Sequence, residues 1–179
     1  MRKLFTILAV SASVALASSG NAGVSFLDTP AQNQTKPKDE RFGQIQWHGY
    51  QEMVAQINAQ TVEKPVFLFV GQTTCQYCQS TLRDMQSDKG FIEFLSANYY
   101  PVLVYQDKEQ IDYAFVSNFV PAFFVLDPKT GKSLTPQPVK GAVSVVDMQD
   151  YLERLKEAYD FYIETRKKAG ETAAVDKSK

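Results

Sequence analysis

The sequence predicts an α/β domain with a central mixed sheet of about four strands flanked by helices. Three observations carry that expectation. Short apolar runs at 66–70, 102–105 and 122–126 each follow a proline and read as strands buried on both faces. Stretches with apolar residues at helical spacing separate them. Directly after the third run, Asp127-Pro128-Lys129-Thr130-Gly131 is turn chemistry that sends the chain back along an antiparallel edge. Strands separated by helices imply a parallel arrangement, to which the late hairpin adds that edge.

Taken in order, the fold begins near residue 42. Tyr50, Met53, Val54 and Ile57 recur at helical spacing and predict an amphipathic helix over 47–60. Pro65 introduces the first strand and Gly71 ends it. Thr73 and Thr74 stand where caps of the next helix belong, and Leu82 and Met85 carry that helix past Cys78. Phe91, Ile92, Phe94 and Leu95 predict a second short helix within 88–98. Pro101 opens the next strand, residues 111–119 are expected to be helical, and Pro121 opens the third strand. Its partner falls within 133–140, where Pro136 and Pro138 confine it to a sheet edge. Asp147 is the expected cap of a last helix reaching about residue 168, with Tyr151, Leu152, Leu155, Ala158, Tyr159 and Tyr162 on one face. No repeat and no second domain is visible. The expected organisation is a single domain at 42–169 followed by a polar tail at 170–179.

Ahead of the domain, Arg2 and Lys3 precede an apolar or small stretch from residue 4 to residue 17. Ala15-Leu16-Ala17 and Gly20-Asn21-Ala22 then offer cleavage sites, the layout of a secretory signal peptide over 1–22. The apolar stretch is shorter than the roughly 20 residues of a membrane span. Residues 28–40 are polar and carry two prolines, and 23–41 is read as a flexible leader. The whole chain of 179 residues has a net charge of −1, and cleavage would remove two bases and no acid. Nothing in this charge balance suggests a nucleic-acid partner, which would favour a basic face. The expected location is the periplasm, an oxidising compartment in which disulfides persist.

The chain has two cysteines, Cys75 and Cys78, separated by Gln76-Tyr77. A thiol is a poor nucleophile and a thiolate a good one. At a helix start, unpaired N–H groups and the helix dipole favour negative charge. Cys75 is therefore the candidate nucleophile. Cys78, one turn later, is the candidate resolving thiol. A bridge over two residues closes too small a loop to stabilise a fold through chain entropy, which favours a reactive pair over a structural one.

Strand, short turn, Cys-x-x-Cys and helix resemble the thioredoxin-like superfamily. The resemblance extends to Val120-Pro121 before the third strand and to Gly141 before the last helix, and covers roughly residues 42–165. It implies a thioredoxin fold and thiol–disulfide oxidoreductase activity. It also implies a cis bond at Pro121, with Val120 backbone facing the cysteines and pairing with an extended substrate. Gln76 and Tyr77 would touch substrate as well. The interval of about 46 residues from Cys75 to Pro121 resembles a plain domain without the helical insertion of periplasmic disulfide donors, and so a reductant. Such a protein would act on exported client proteins with cysteines and be reset by a membrane thiol–disulfide partner. A disulfide donor or isomerase is the alternative.

Some residues depart from the family pattern. Thr74 stands where thioredoxins carry Trp, and 66–70 contains no acid, so a carboxylate assisting Cys78 is missing or comes from elsewhere. Among rival readings, a structural zinc site needs four ligands, whereas only Cys75, Cys78 and His48 are available. No dinucleotide fingerprint appears, so no cofactor is expected. A non-enzymatic binding module with a permanent disulfide is the other rival, and a monomer is the expected state.

Overall fold

The computed structural model describes residues 44–176. The expected signal peptide at 1–22 and leader at 23–41 lie outside the described residues. The chain runs α1 (Tyr50–Asn58), β1 (Val66–Gly71), α2 (Gln76–Ser87), α3 (Lys89–Asn98), β2 (Tyr100–Tyr105), a 3-10 turn (Tyr113–Phe115), β3 (Ala122–Leu126), β4 (Val139–Lys140) and α4 (Val145–Asp176). The strands form one mixed sheet in the order β2-β1-β3-β4.

All six residues of β1 and all five of β3 are buried, as runs apolar on both faces require. Alternation along the strands sorts their side chains into two cores. Phe67, Phe69, Leu103, Phe123 and Val125 pack with Leu82 and Met85 of α2, Phe91 and Leu95 of α3, and Met148 and Leu152 of α4. On the other face, Leu68, Val70, Val102, Val104 and Phe124 meet Tyr50, Met53 and Ile57 of α1.

β1 and β2 are parallel, with Val66 opposite Tyr100. β3 departs from the expected parallel arrangement and runs antiparallel to β1, with Val66 opposite Leu126. The reason is the connection from β2, which begins at the Gly71 end of the sheet and stays there. A parallel β3 would need a crossover to the opposite end, and 111–119 forms no helix. Asp112 Oδ1 caps one turn by accepting the Ala114 N–H at 2.9 Å. The Ser117 N–H and carbonyl are both taken by the Gln106 side chain, at 3.0 and 2.8 Å, so neither can join a helical ladder. The expected edge strand is present as β4, antiparallel to β3, with Leu126 bridging Ser133 beyond the turn.

Three helix starts differ from expectation. α1 begins at Tyr50 because His48 is already bonded along β2, its N–H to the Pro101 carbonyl at 3.0 Å and its carbonyl to the Leu103 N–H at 3.1 Å. Neither Thr73 nor Thr74 caps α2; Cys75 does. At α4, Ser144 is the cap: its Oγ accepts the Asp147 N–H at 3.1 Å and donates to Asp147 Oδ2 at 2.6 Å, so Asp147 supports the cap from inside the first turn. α4 also continues past residue 168 to Asp176.

Tyr99 ties α4 to the sheet. It is 2 % exposed, and its hydroxyl donates to the Leu152 carbonyl at 2.6 Å. Tyr99→Phe is expected to lose about 1–1.5 kcal/mol, the net worth of such a bond. Burial, then the neighbouring Tyr151 and Asp160, push its phenol well above the usual tyrosine range. The raised value means the folded state holds this proton more tightly than the unfolded chain. Its stabilisation is complete below about pH 10 and is lost as pH rises above that. Urea melts from pH 8 to 11 should therefore show a stability decline that Tyr99→Phe reduces; an equal decline in both proteins would contradict this reading.

Candidate redox site

β1 ends at Gly71, beside the disulfide. A Cβ there would lie 3.2 Å from Phe69 Cε1, close enough that the ring would have to give, and 3.5 Å from Cys78 Sγ, an ordinary contact. The next residues are tied down before the helix starts. The Cys75 N–H donates to the Gln72 carbonyl at 3.1 Å. Thr73 donates its N–H to Asp107 Oδ1 at 3.0 Å and its hydroxyl to Asp107 Oδ2. The hydroxyl bond, then the N–H bond, hold the Asp107 carboxyl below the usual carboxylate range. Gln79 Nε2 donates to the Thr73 carbonyl at 3.1 Å. The loop is thus fastened to β2 on one side and to α2 on the other.

Cys75 is the N-cap of α2, in extended backbone geometry, and its Sγ accepts the Cys78 N–H at 3.0 Å. The two residues form a disulfide with Cα atoms 5.2 Å apart. Cys75 is half-buried, whereas Cys78 is fully buried in the aromatic and aliphatic core under α2. Gln76 and Tyr77 are exposed, Tyr77 at 70 %. The Val120–Pro121 peptide is cis, as the resemblance implied, and the Val120 carbonyl oxygen lies 3.7 Å from Cys75 Sγ. Proline brings no N–H to this surface. Gly141, at φ +86°, donates its N–H to the Pro121 carbonyl at 2.8 Å and anchors the loop to β4. That backbone region favours glycine.

Of the six residues expected at the site, Cys75, Cys78, Val120 and Pro121 converge, and Gln76 and Tyr77 flank them on the exposed side. The sequence did not reveal Gln106 and Asp107. Gln106 clamps Ser117 and Asp107 clamps Thr73, both across long sequence separations that leave no local pattern. Phe119, 70 % exposed beside Val120, was also missed. An exposed aromatic next to the proline loop was its only signal. No acid is buried among the described residues, where Thr81 and Ser117 are the buried polar side chains. Cys78 belongs to an apolar cluster that includes Phe69, Leu82, Met85 and Phe123.

His48 is elsewhere engaged. Its ring stacks on Tyr100 at 4.0 Å, and Nδ1 lies 2.8 Å from Glu52 Oε1. The described residues hold no cluster of three or more potential metal ligands.

A half-exposed sulfur at a helix N-cap, bridged to a buried one and faced by a cis-proline loop, can open and close by thiol–disulfide exchange. The protein is a thiol–disulfide oxidoreductase with a thioredoxin fold. Residues 53–156 match the thioredoxin-like domain family, and the chain belongs to it. Among solved structures, a thioredoxin from Thermus thermophilus aligns at 24 % identity over 64 % of this chain and 87 % of its own, with a TM-score of 0.48. A DsbH oxidoreductase aligns at 18 % identity over 63 % and 85 %, with a TM-score of 0.45. A search of curated proteins finds no significant match.

Proposed function

We propose that this protein reduces disulfides in exported client proteins, with Cys75 as nucleophile and Cys78 as resolving thiol. The observation that carries the reading is the asymmetry of the pair. Cys75 Sγ is partly exposed and receives an N–H bond, while Cys78 is buried behind it. In the reductive direction the Cys75 thiolate attacks a client disulfide. A Cys75–client bond forms and the other client sulfur leaves as a thiolate. The Cys78 thiolate then attacks Cys75 Sγ, the internal disulfide closes, and the second client sulfur departs. Two electrons pass from the enzyme dithiol to the client. A membrane thiol–disulfide partner returns them, and each thiolate takes its proton from water.

What stabilises the reduced form supports that direction. A strong disulfide donor holds its thiolate so well that the dithiol is favoured. Here Cys75 has one N–H and a helix terminus, and residues 72–82 contain no Lys, Arg or His. Modest thiolate stabilisation favours the disulfide in the enzyme and hence a reducing potential. The test is equilibration of the mature protein with redox buffers. A potential near the roughly −270 mV of thioredoxin is expected. One near the roughly −120 mV of a strong donor, about 7 kcal/mol away for two electrons, would reverse the direction.

Export rests on the signal-like residues 1–22, with the periplasm as the destination. N-terminal sequencing of the protein recovered from the producing cell's periplasmic fraction should begin after Ala17 or Ala22.

A further inference from the structure

We propose that the groove between the β3–β4 connection and the C-terminal half of α4 is a docking site for an acidic polypeptide segment of a partner protein. The groove has a volume of about 800 Å³, within the roughly 300–1,000 Å³ of sites that take a ligand or an anchoring side chain. Lys129 and Lys132 line it from the connection, Arg166 and Lys167 from the helix, with Tyr159 and Tyr162 between them. A protein of net charge −1 thus gathers four cations around one concavity.

The acids nearby do not neutralise it. Asp160 is paired with Lys156 at 2.6 Å and Glu164 with Lys168 at 2.8 Å, each along α4. Asp127 also lines the groove and keeps its charge there, its Oδ1 accepting the Lys129 and Thr130 N–H groups and the Thr130 hydroxyl at 2.8–3.0 Å, so four cations face one carboxylate. Lys129, Lys132, Arg166 and Lys167 have no acidic partner among the described residues. The Arg166 guanidinium is already oriented, donating to the Tyr162 hydroxyl at 3.0 Å and lying 5.7 Å from its ring. It keeps further donors for a carboxylate. A guanidinium over the exposed Tyr162, beside three lysines and the half-buried Tyr159, fits carboxylates interspersed with aromatic or aliphatic side chains. The concave shape suits a polypeptide segment better than a flat lipid surface does.

The position leaves the redox site free. The groove lies at the Leu126 end of β3, which pairs with the start of β1, whereas Cys75 follows the far end of β1. Five strand residues put the two about 17 Å apart along the sheet. A partner held at the groove could stay bound while Cys75 and Cys78 turn over.

The experiment uses a fluorescein-labelled peptide of about twelve residues, alternating glutamate with leucine and phenylalanine, titrated against the full-length protein by anisotropy. Saturable binding is expected, weakening at least tenfold from 50 to 200 mM salt and lost when glutamine replaces glutamate. The variant Lys132→Glu/Arg166→Glu/Lys167→Glu should weaken it at least tenfold while leaving exchange with a small disulfide unchanged. Should that variant fail to fold, Lys132→Gln and Arg166→Gln singly are expected to weaken binding several-fold each. Equal binding of the glutamine peptide, or equal binding by these variants, would overturn the proposal. So would sedimentation with phosphatidylglycerol vesicles in the absence of peptide binding, which would assign the groove to a membrane surface. None of these readouts depends on the direction of electron flow.

Discussion

Cys78→Ser is expected to accumulate covalent complexes with client proteins, and Cys75→Ser to accumulate none. Both variants should lose turnover to the background rate. The difference comes from which sulfur a client can reach. Cys75 is half-buried, with its Sγ 3.7 Å from the Val120 carbonyl oxygen, and is the more accessible of the two. Cys78 is buried in the core, and in the proposed mechanism it acts by attack on Cys75. Without Cys78 the mixed disulfide has no internal route to release and persists until an outside thiol arrives. Non-reducing gels of each variant, followed by elution with dithiothreitol, read this directly. Complexes on Cys75→Ser and none on Cys78→Ser would exchange the two roles.

Phe69→Ala is expected to cost about 3–5 kcal/mol, as truncation of a fully buried aromatic does. That is a large part of the roughly 5–15 kcal/mol that holds a domain together. The ring lies 5.0 Å from Phe123 and 6.3 Å from Trp47, centroid to centroid, in edge-on contacts that a methyl cannot replace. It also lies under Gly71, next to the disulfide, so its loss opens space where Cys78 Sγ is held. A drop in Tm of about 10–20 °C should follow, by scaling for domains of this size. Phe119→Ala is the contrast: at 70 % exposure it should change stability by less than about 0.5 kcal/mol and slow exchange with protein clients. A Phe69→Ala melt within 5 °C of the parent would show that the core collapses around the gap.

Much of this was legible because its signals are local. The runs 66–70 and 122–126, each set between turn or proline residues, could only be buried strands. The Cys75–Cys78 spacing places both sulfurs on one helical turn wherever that helix lies. Where expectation failed, a long-range partner had taken over a local preference. Residues 111–119 have helix-compatible composition, but Gln106 captures both backbone groups of Ser117. Thr73 and Thr74 are good caps by type, yet Asp107 engages Thr73 and leaves the cap to Cys75. Trp47 and His48 look like a helix start, but His48 pairs with Val102 of β2.

The resemblance to the thioredoxin-like superfamily implied the proline that faces the cysteines, and the sequence by itself determined the strands, most of the helices around them and the reactive pair. These depend on apolar periodicity, turn residues and motif spacing, which act over a few residues. Only the tertiary structure decided the antiparallel course of β3, the clamps of Gln106 and Asp107, and the apolar cluster that holds Cys78. Each of these arises between residues far apart in the chain, where the free energy depends on which surfaces meet once the sheet has closed, and no local pattern records that.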